Sequence, residues 1–225
     1  MDATIFLRES ARASILNVRE DSHWFVDLLQ VGDPWGVCAL GDSFVLASVP
    51  DACLYSGTGE LLRRFRIGDH LAHAQADPNS RLWVTYSDQG ARQEIAQRGL
   101  SCFDAHGQTV APWWSCWMLD CYAMNAAKDG IWFCGMIDFE VKRLGYDGKM
   151  SAWSNAVCPT AIAGWSKSAA LYREDSITFL DLTGRKAIVR EQLRAHAPAG
   201  SWRGLYFHAL HESIWYRLER RRGGQ

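Results

Sequence analysis

The 225-residue chain holds no apolar run near the roughly 18 residues that a membrane-spanning helix needs. Its first twenty residues carry charge from Asp2 onward and do not read as a secretory signal. Neither sign of charge dominates: 24 Lys and Arg stand against 25 Asp and Glu, a net charge of −1 at pH 7. The one basic run, residues 217–222 (RLERRR), reads as a solvated strand end. The clustered basic surface of a nucleic-acid binder is therefore missing. So are a glycine-rich phosphate loop, a G-x-S-x-G elbow and a histidine pair at ligand spacing. The seven cysteines (38, 53, 102, 116, 121, 134 and 158) are odd in number and scattered. Cys116 and Cys121 have no second pair that would complete a zinc site. They read as free, reduced thiols, and a cytoplasmic location is the expectation. Helix signals are confined to 94–98 and 190–196.

What the chain does have is a repeat. Residues 120–153 read as four short strands, at about 121–126, 131–135, 140–146 and 149–153, with Asp147-Gly148 as a hairpin turn. Turn glycines recur at 59, 107, 148 and 184, spaced 48, 41 and 36 residues apart. Second strands align at 43–48 (SFVLAS), 81–86 (RLWVTY), 130–135 (GIWFCG), 169–173 (AALYR) and 213–218 (SIWYRL), with Trp83, Trp132 and Trp215 in equivalent places. First strands are rich in small residues, as in 36–40 (GVCAL) and 160–164 (TAIAG), which suits strands crowded around an axis.

Four strands per repeat at a period of roughly 40–45 residues predict an all-β fold, a β-propeller, against the alternative of a two-sheet sandwich. Five four-stranded blades are expected in a single domain over 1–225, at about 31–68, 69–118, 119–157 and 158–201. The closing blade takes 203–225 together with 1–30, so that both ends share it.

The units around Asp77-Leu82-Trp83 with Phe103-Asp104-Gly107, and Asp129-Gly130-Ile131-Trp132 with Tyr146-Asp147-Gly148, resemble the repeats of virginiamycin B lyase, gluconolactonase and NHL propellers. The match is at the level of the repeat. The resemblance implies a propeller and, through gluconolactonases, a divalent metal on the central face. No residues here match that metal site one by one, so no cofactor is fixed and no metal ligand is assigned.

In a propeller, the loops leading into each first strand and those joining second to third strands share the face around the central channel. The lead-in loops hold Asp33-Pro34-Trp35, Asp69-His70, Trp117 to Asp120, Cys158-Pro159 and Trp202-Arg203. The second-to-third loops hold Pro50-Asp51, 88–98, Ile137-Asp138 and Glu174-Asp175. Trp35, Trp117 and Trp202 are either seam caps between blades or stacking platforms for a flat ligand or sugar. Asp33, Asp51, Asp69, Asp88, Asp120, Asp138 and Asp175 are either turn residues bonding their own backbone or a converging carboxylate set. His73 and Arg203 lie beside these loops and complete the candidate ligand-binding residues. Residues 88–99 form the longest insertion, a candidate lid or partner contact.

Two function classes follow. One is a non-enzymatic binding or scaffold module that takes a small molecule or protein partner at the channel face, with no nucleic acid or membrane involved. The other is an enzyme, either a metal-dependent lactonase or lyase or a glycosidase using Asp33, Asp120 or Glu140. A lectin-like module built on the tryptophans is a third reading.

Overall fold

The computed structural model describes residues 3–9, 12–19, 22–28, 35–92, 94–96, 99–110, 118–154, 158–194, 200–203, 206–211 and 214–219, with side chains at 26, at 28, within 35–192 and at 194. Among these residues every element is a β-strand except two short 3-10 turns, Gly90–Arg92 and Glu94–Ala96. No helix is long and apolar enough to cross a membrane among the described residues. The chain divides into two compact units, residues 1–117 and 118–225.

The first unit holds three antiparallel sheets, each a meander. They are β1 (Ala3–Glu9), β2 (Arg12–Arg19) and β3 (Ser22–Leu28); β4 (Gly36–Leu40), β5 (Ser43–Ser48), β6 (Asp51–Tyr55) and β7 (Leu61–Arg66); and β8 (Leu71–Ala76), β9 (Leu82–Tyr86) and β10 (Leu100–Phe103). The second unit holds β11 (Cys121–Ala127), β12 (Gly130–Gly135), β13 (Val141–Leu144) and β14 (Met150–Trp153); β15 (Ala161–Trp165), β16 (Ser168–Arg173), β17 (Ser176–Asp181) and β18 (Ile188–Arg194); and β19 (Gly200–Arg203), β20 (Tyr206–His211) and β21 (Ile214–Glu219).

The expected second strands coincide with β5, β9, β12, β16 and β21 to within one residue. At the ends of the chain, β1–β2–β3 form one three-stranded sheet and β19–β20–β21 another. Strands two residues apart in sequence pair at far lower loop-closure cost than strands from opposite ends of the chain. The residues of β19, Trp202 and Arg203 among them, were expected in a loop and are strand.

Three of the four turn glycines close the same turn. Gly59, Gly107 and Gly148 donate their N–H to the carbonyls of Ser56, Asp104 and Gly145 at 2.9–3.0 Å. All three have positive φ, a region that costs a residue with a Cβ. Gly184 does not share this backbone.

The Asp–Trp spacing of the repeat has a physical basis. The Asp77 carboxylate accepts the Trp83 indole N–H at 2.8 Å, the Arg81 Nε at 2.9 Å, and the backbone N–H of Asn79 and Arg81 at 2.8 and 3.0 Å. In the second unit Asp129 accepts the Trp132 indole N–H at 3.0 Å and the backbone N–H of Ser166 at 3.0 Å. Each arginine, Arg81 or Arg143, lies 5.7 Å above its tryptophan ring. Trp132 is fully buried and stacks on Trp153 at 5.7 Å. Its indole lies against Gly164 of β15, so a small residue there lets adjacent sheets approach.

Burial pushes the Cys102 and Cys134 thiols up to about 12, so they act as small hydrophobes.

The outer strand β18 is fastened through Asp181. Arg190 donates two bonds to its Oδ2, one of them from Nε at 3.0 Å, and the Thr183 N–H reaches Oδ1 at 2.8 Å. The Arg190 guanidinium and Thr183 hold the carboxyl down at about 2. The folded value lies below the unfolded one of about 3.9, so this contribution is complete above that pH and is lost as pH falls toward about 2. Asp181→Asn is expected to lower the melting temperature at pH 7 and to match wild type near pH 2. A gap of the same size at both pH values would refute the assignment.

Candidate functional site

A candidate site in the first unit lies where the loop after β7 meets the insertion after β9. The loop folds down because Ile67 and Gly68 both donate their N–H to the Pro50 carbonyl, at 2.9 and 3.1 Å. Ile67 is fully buried, and its carbonyl accepts the Tyr86 hydroxyl at 2.6 Å. Burial pushes that phenol up to about 12, so it remains a donor. The insertion is then drawn onto the loop. Ser87 N–H donates to His70 O at 2.9 Å, and Gly90 and Ala91 donate back to Ser87 O at 3.0 Å. Ser101 Oγ donates to Ile95 O at 2.7 Å, and Ala96 is fully buried beneath.

Between the two segments lies a cavity of about 610 Å³ lined by Arg66, Asp69, Glu94 and Ile95. Arg66 and Asp69 form an exposed ion pair at 3.4 Å, of a kind worth little to stability and therefore readily exchanged for a ligand's charges. The cavity thus offers two carboxylates, a guanidinium and an apolar floor.

Gly90 makes this arrangement fit. A Cβ there would lie 2.8 Å from the carbonyl oxygens of both Asp69 and His70. Gly90→Ala is expected to cost roughly 1–3 kcal/mol and to lift the insertion. Urea unfolding would read the loss, and faster thermolysin cleavage within 88–99 would locate it. A protease pattern unchanged from wild type would show that the contact is not tight.

A second, smaller cavity of about 180 Å³ lies on the β5–β6–β7 sheet, lined among others by Ser48, Asp51, Cys53, Tyr55 and Arg64. Cys53 and Arg64 face each other across β6 and β7.

The other sequence candidates are placed as follows. Trp35 precedes β4, is 59% exposed, and donates its indole N–H to Ala72 O of β8 at 3.3 Å. It ties two sheets together while leaving much of its ring open. His73 is half-buried on β8, in register with Thr85. Asp88 and Asp175 bond locally, to Gln89 N–H at 2.8 Å and Ser176 Oγ at 3.4 Å. Asp138 accepts Lys142 Nζ at 2.5 Å and Glu140 N–H at 3.1 Å. Burial alone would raise its carboxyl, but the Lys142 ammonium and the Glu140 amide hold it below its usual value. Asp120 is half-buried, and its backbone carbonyl accepts Met136 N–H at 3.0 Å. Asp33 and Trp117 lie outside the described residues, as do the side chains of Trp202 and Arg203. Among the described residues no three His, Cys, Asp or Glu side chains are placed to hold a metal ion.

Asp69 and the insertion are thus the two sequence-derived features that the structure joins. Arg66 and Glu94 were not singled out. An arginine ending an exposed strand and a glutamate in a loop carry no distinctive pattern on their own.

No protein-family model and no curated protein matches the chain in sequence. Solved structures do match. Virginiamycin B lyase from Staphylococcus aureus is 12% identical with a TM-score of 0.61, over 92% of this chain and 73% of that one. Hsv2 from Kluyveromyces marxianus is 10% identical with a TM-score of 0.60, over 95% and 71%. A functionally unknown protein from Desulfotomaculum acetoxidans is 9% identical with a TM-score of 0.65, over 96% and 78%. At these identities the likeness carries the architecture and nothing of the chemistry, and the architecture is that of an all-β propeller.

Proposed function

We propose that the chain is a non-enzymatic β-propeller binding module whose ligand seat is the cavity between the loop after β7 and the insertion after β9. One observation carries this reading: a cavity of about 610 Å³ lined by charges of both signs, within the size range of small-molecule sites. The ligand is a small molecule with both a cationic and an anionic group, facing Asp69 with Glu94 and Arg66 respectively. Buried thiols such as Cys102 and Cys134 suit a reducing cytoplasm.

Trp35 supports a second reading, a sugar-binding module, because its ring is 59% exposed beside a lead-in loop.

Thermal-shift titration with a panel of free amino acids, neutral monosaccharides and divalent cations separates these readings. The proposal expects a zwitterion to raise the melting temperature of wild type, and Asp69→Ala or Glu94→Ala to abolish the shift. Sugar-dependent quenching lost in Trp35→Ala would replace the proposal with the sugar-binding reading. Hydrolysis or elimination that depends on an added divalent cation would replace it with the enzyme.

A further inference from the structure

We propose that the free edge of β7 is a docking site for an extended acidic peptide, which adds to the β4–β5–β6–β7 sheet as a fifth strand. β7 ends its sheet and pairs with β6 alone among the described residues. The outward N–H and C=O groups of such an edge are a template for another strand. No backbone hydrogen bond to another loop covers residues 61–66 among the described residues.

The charge on this edge selects the partner. β7 reads LLRRFR, with Arg63, Arg64 and Arg66 all exposed and no acid in the strand. Arg66 has one exposed ion pair, with Asp69, and Arg63 has no ion pair among the described residues. The two other fourth strands differ. β14 (MSAW) carries no charge, and β18 (IVREQLR) carries both signs. Like charges directly opposite one another are destabilising, so a second copy of β7 is a poor partner, whereas a strand bearing carboxylates gains cross-strand pairs.

The pleat sets the register. Arg64 and Arg66 project from the same face, roughly 7 Å apart by strand geometry; Arg66 lines the larger cavity described above and Arg64 the smaller. An incoming strand with acids at alternate positions would meet both guanidinium groups. Leu61 and Leu62, 36% and 50% exposed, offer apolar contact at the beginning of the edge.

The test is fluorescence anisotropy with a labelled nine-residue peptide of alternating Glu and Thr, against its Lys-for-Glu counterpart. Wild type is expected to bind the acidic peptide and not the basic one. Arg63→Glu/Arg64→Glu should weaken binding at least tenfold. Arg66 is left in place so that the cavity proposed above is not altered. Arg63→Lys/Arg64→Lys should retain binding, and far-UV circular dichroism should show both variants folded. N-methylation of alternate peptide amides should abolish binding in one of its two registers and spare it in the other, because a strand presents every second N–H to its neighbour. Three outcomes would overturn the proposal: no binding by wild type, indifference to N-methylation in both registers, or equal affinity for inorganic polyphosphate of the same charge.

Discussion

Gly164→Ala is expected to destabilise the unit of residues 118–225 by roughly 3 kcal/mol, the upper end for overpacking a core. The added Cβ would lie 1.9 Å from Cδ2 of Trp132, and 2.2 and 2.3 Å from Cε2 and Cε3. The indole has little room to retreat. It is fully buried, stacked on Trp153, and tied through its N–H to Asp129. Urea unfolding followed by far-UV circular dichroism measures the loss. Trp132→Leu should partly rescue Gly164→Ala, giving a coupling of about 1–3 kcal/mol in the double-mutant cycle. If Gly164→Ala unfolds at the wild-type midpoint, β15 does not pack against Trp132 as described.

Asp77→Ala is expected to cost the first unit about 3–5 kcal/mol, the penalty for breaking a buried charge pair. Its side chain is fully buried and serves four donors, two from the backbone of the β8–β9 turn and two from Arg81 and Trp83. Removing it leaves the Trp83 N–H without its acceptor in a site where that residue is 2% exposed. Asp77→Asn keeps an acceptor and is expected to lose about half as much by the same bookkeeping. Thermal unfolding of the two variants gives the ordering, and equal losses would show that the charge contributes nothing beyond the hydrogen bonds.

These two residues also show what the sequence could and could not reveal. Period-2 strands bounded by turn residues depend on local chemistry, so β5, β9 and β12 are legible within a residue. The Asp–Trp motif was visible as spacing, but its cause, a carboxylate accepting an indole N–H, needs the turn to be folded first. Gly164 read only as one small residue among several in TAIAG, because its neighbour Trp132 is 32 residues earlier. The candidate site divides along the same line. Asp69 and the insertion were legible as loop features, whereas Arg66 and Glu94 join them only where the end of β7 and the insertion line the same cavity. At the two ends the repeat's phase did not announce the three-stranded meanders β1–β2–β3 and β19–β20–β21, whose strands pair with their sequence neighbours.

Within every sheet, each strand pairs with its sequence neighbour and with no strand from elsewhere in the chain among the described residues. Strand-pairing hydrogen bonds are therefore short-range in sequence, and each sheet can form its own ladder without waiting for distant segments to find one another. The same locality bears on how such a chain changes over time. A whole meander can be duplicated or deleted in one genetic step without breaking a strand pair in those that remain, and new residues enter most cheaply at hairpin ends, as between β9 and β10.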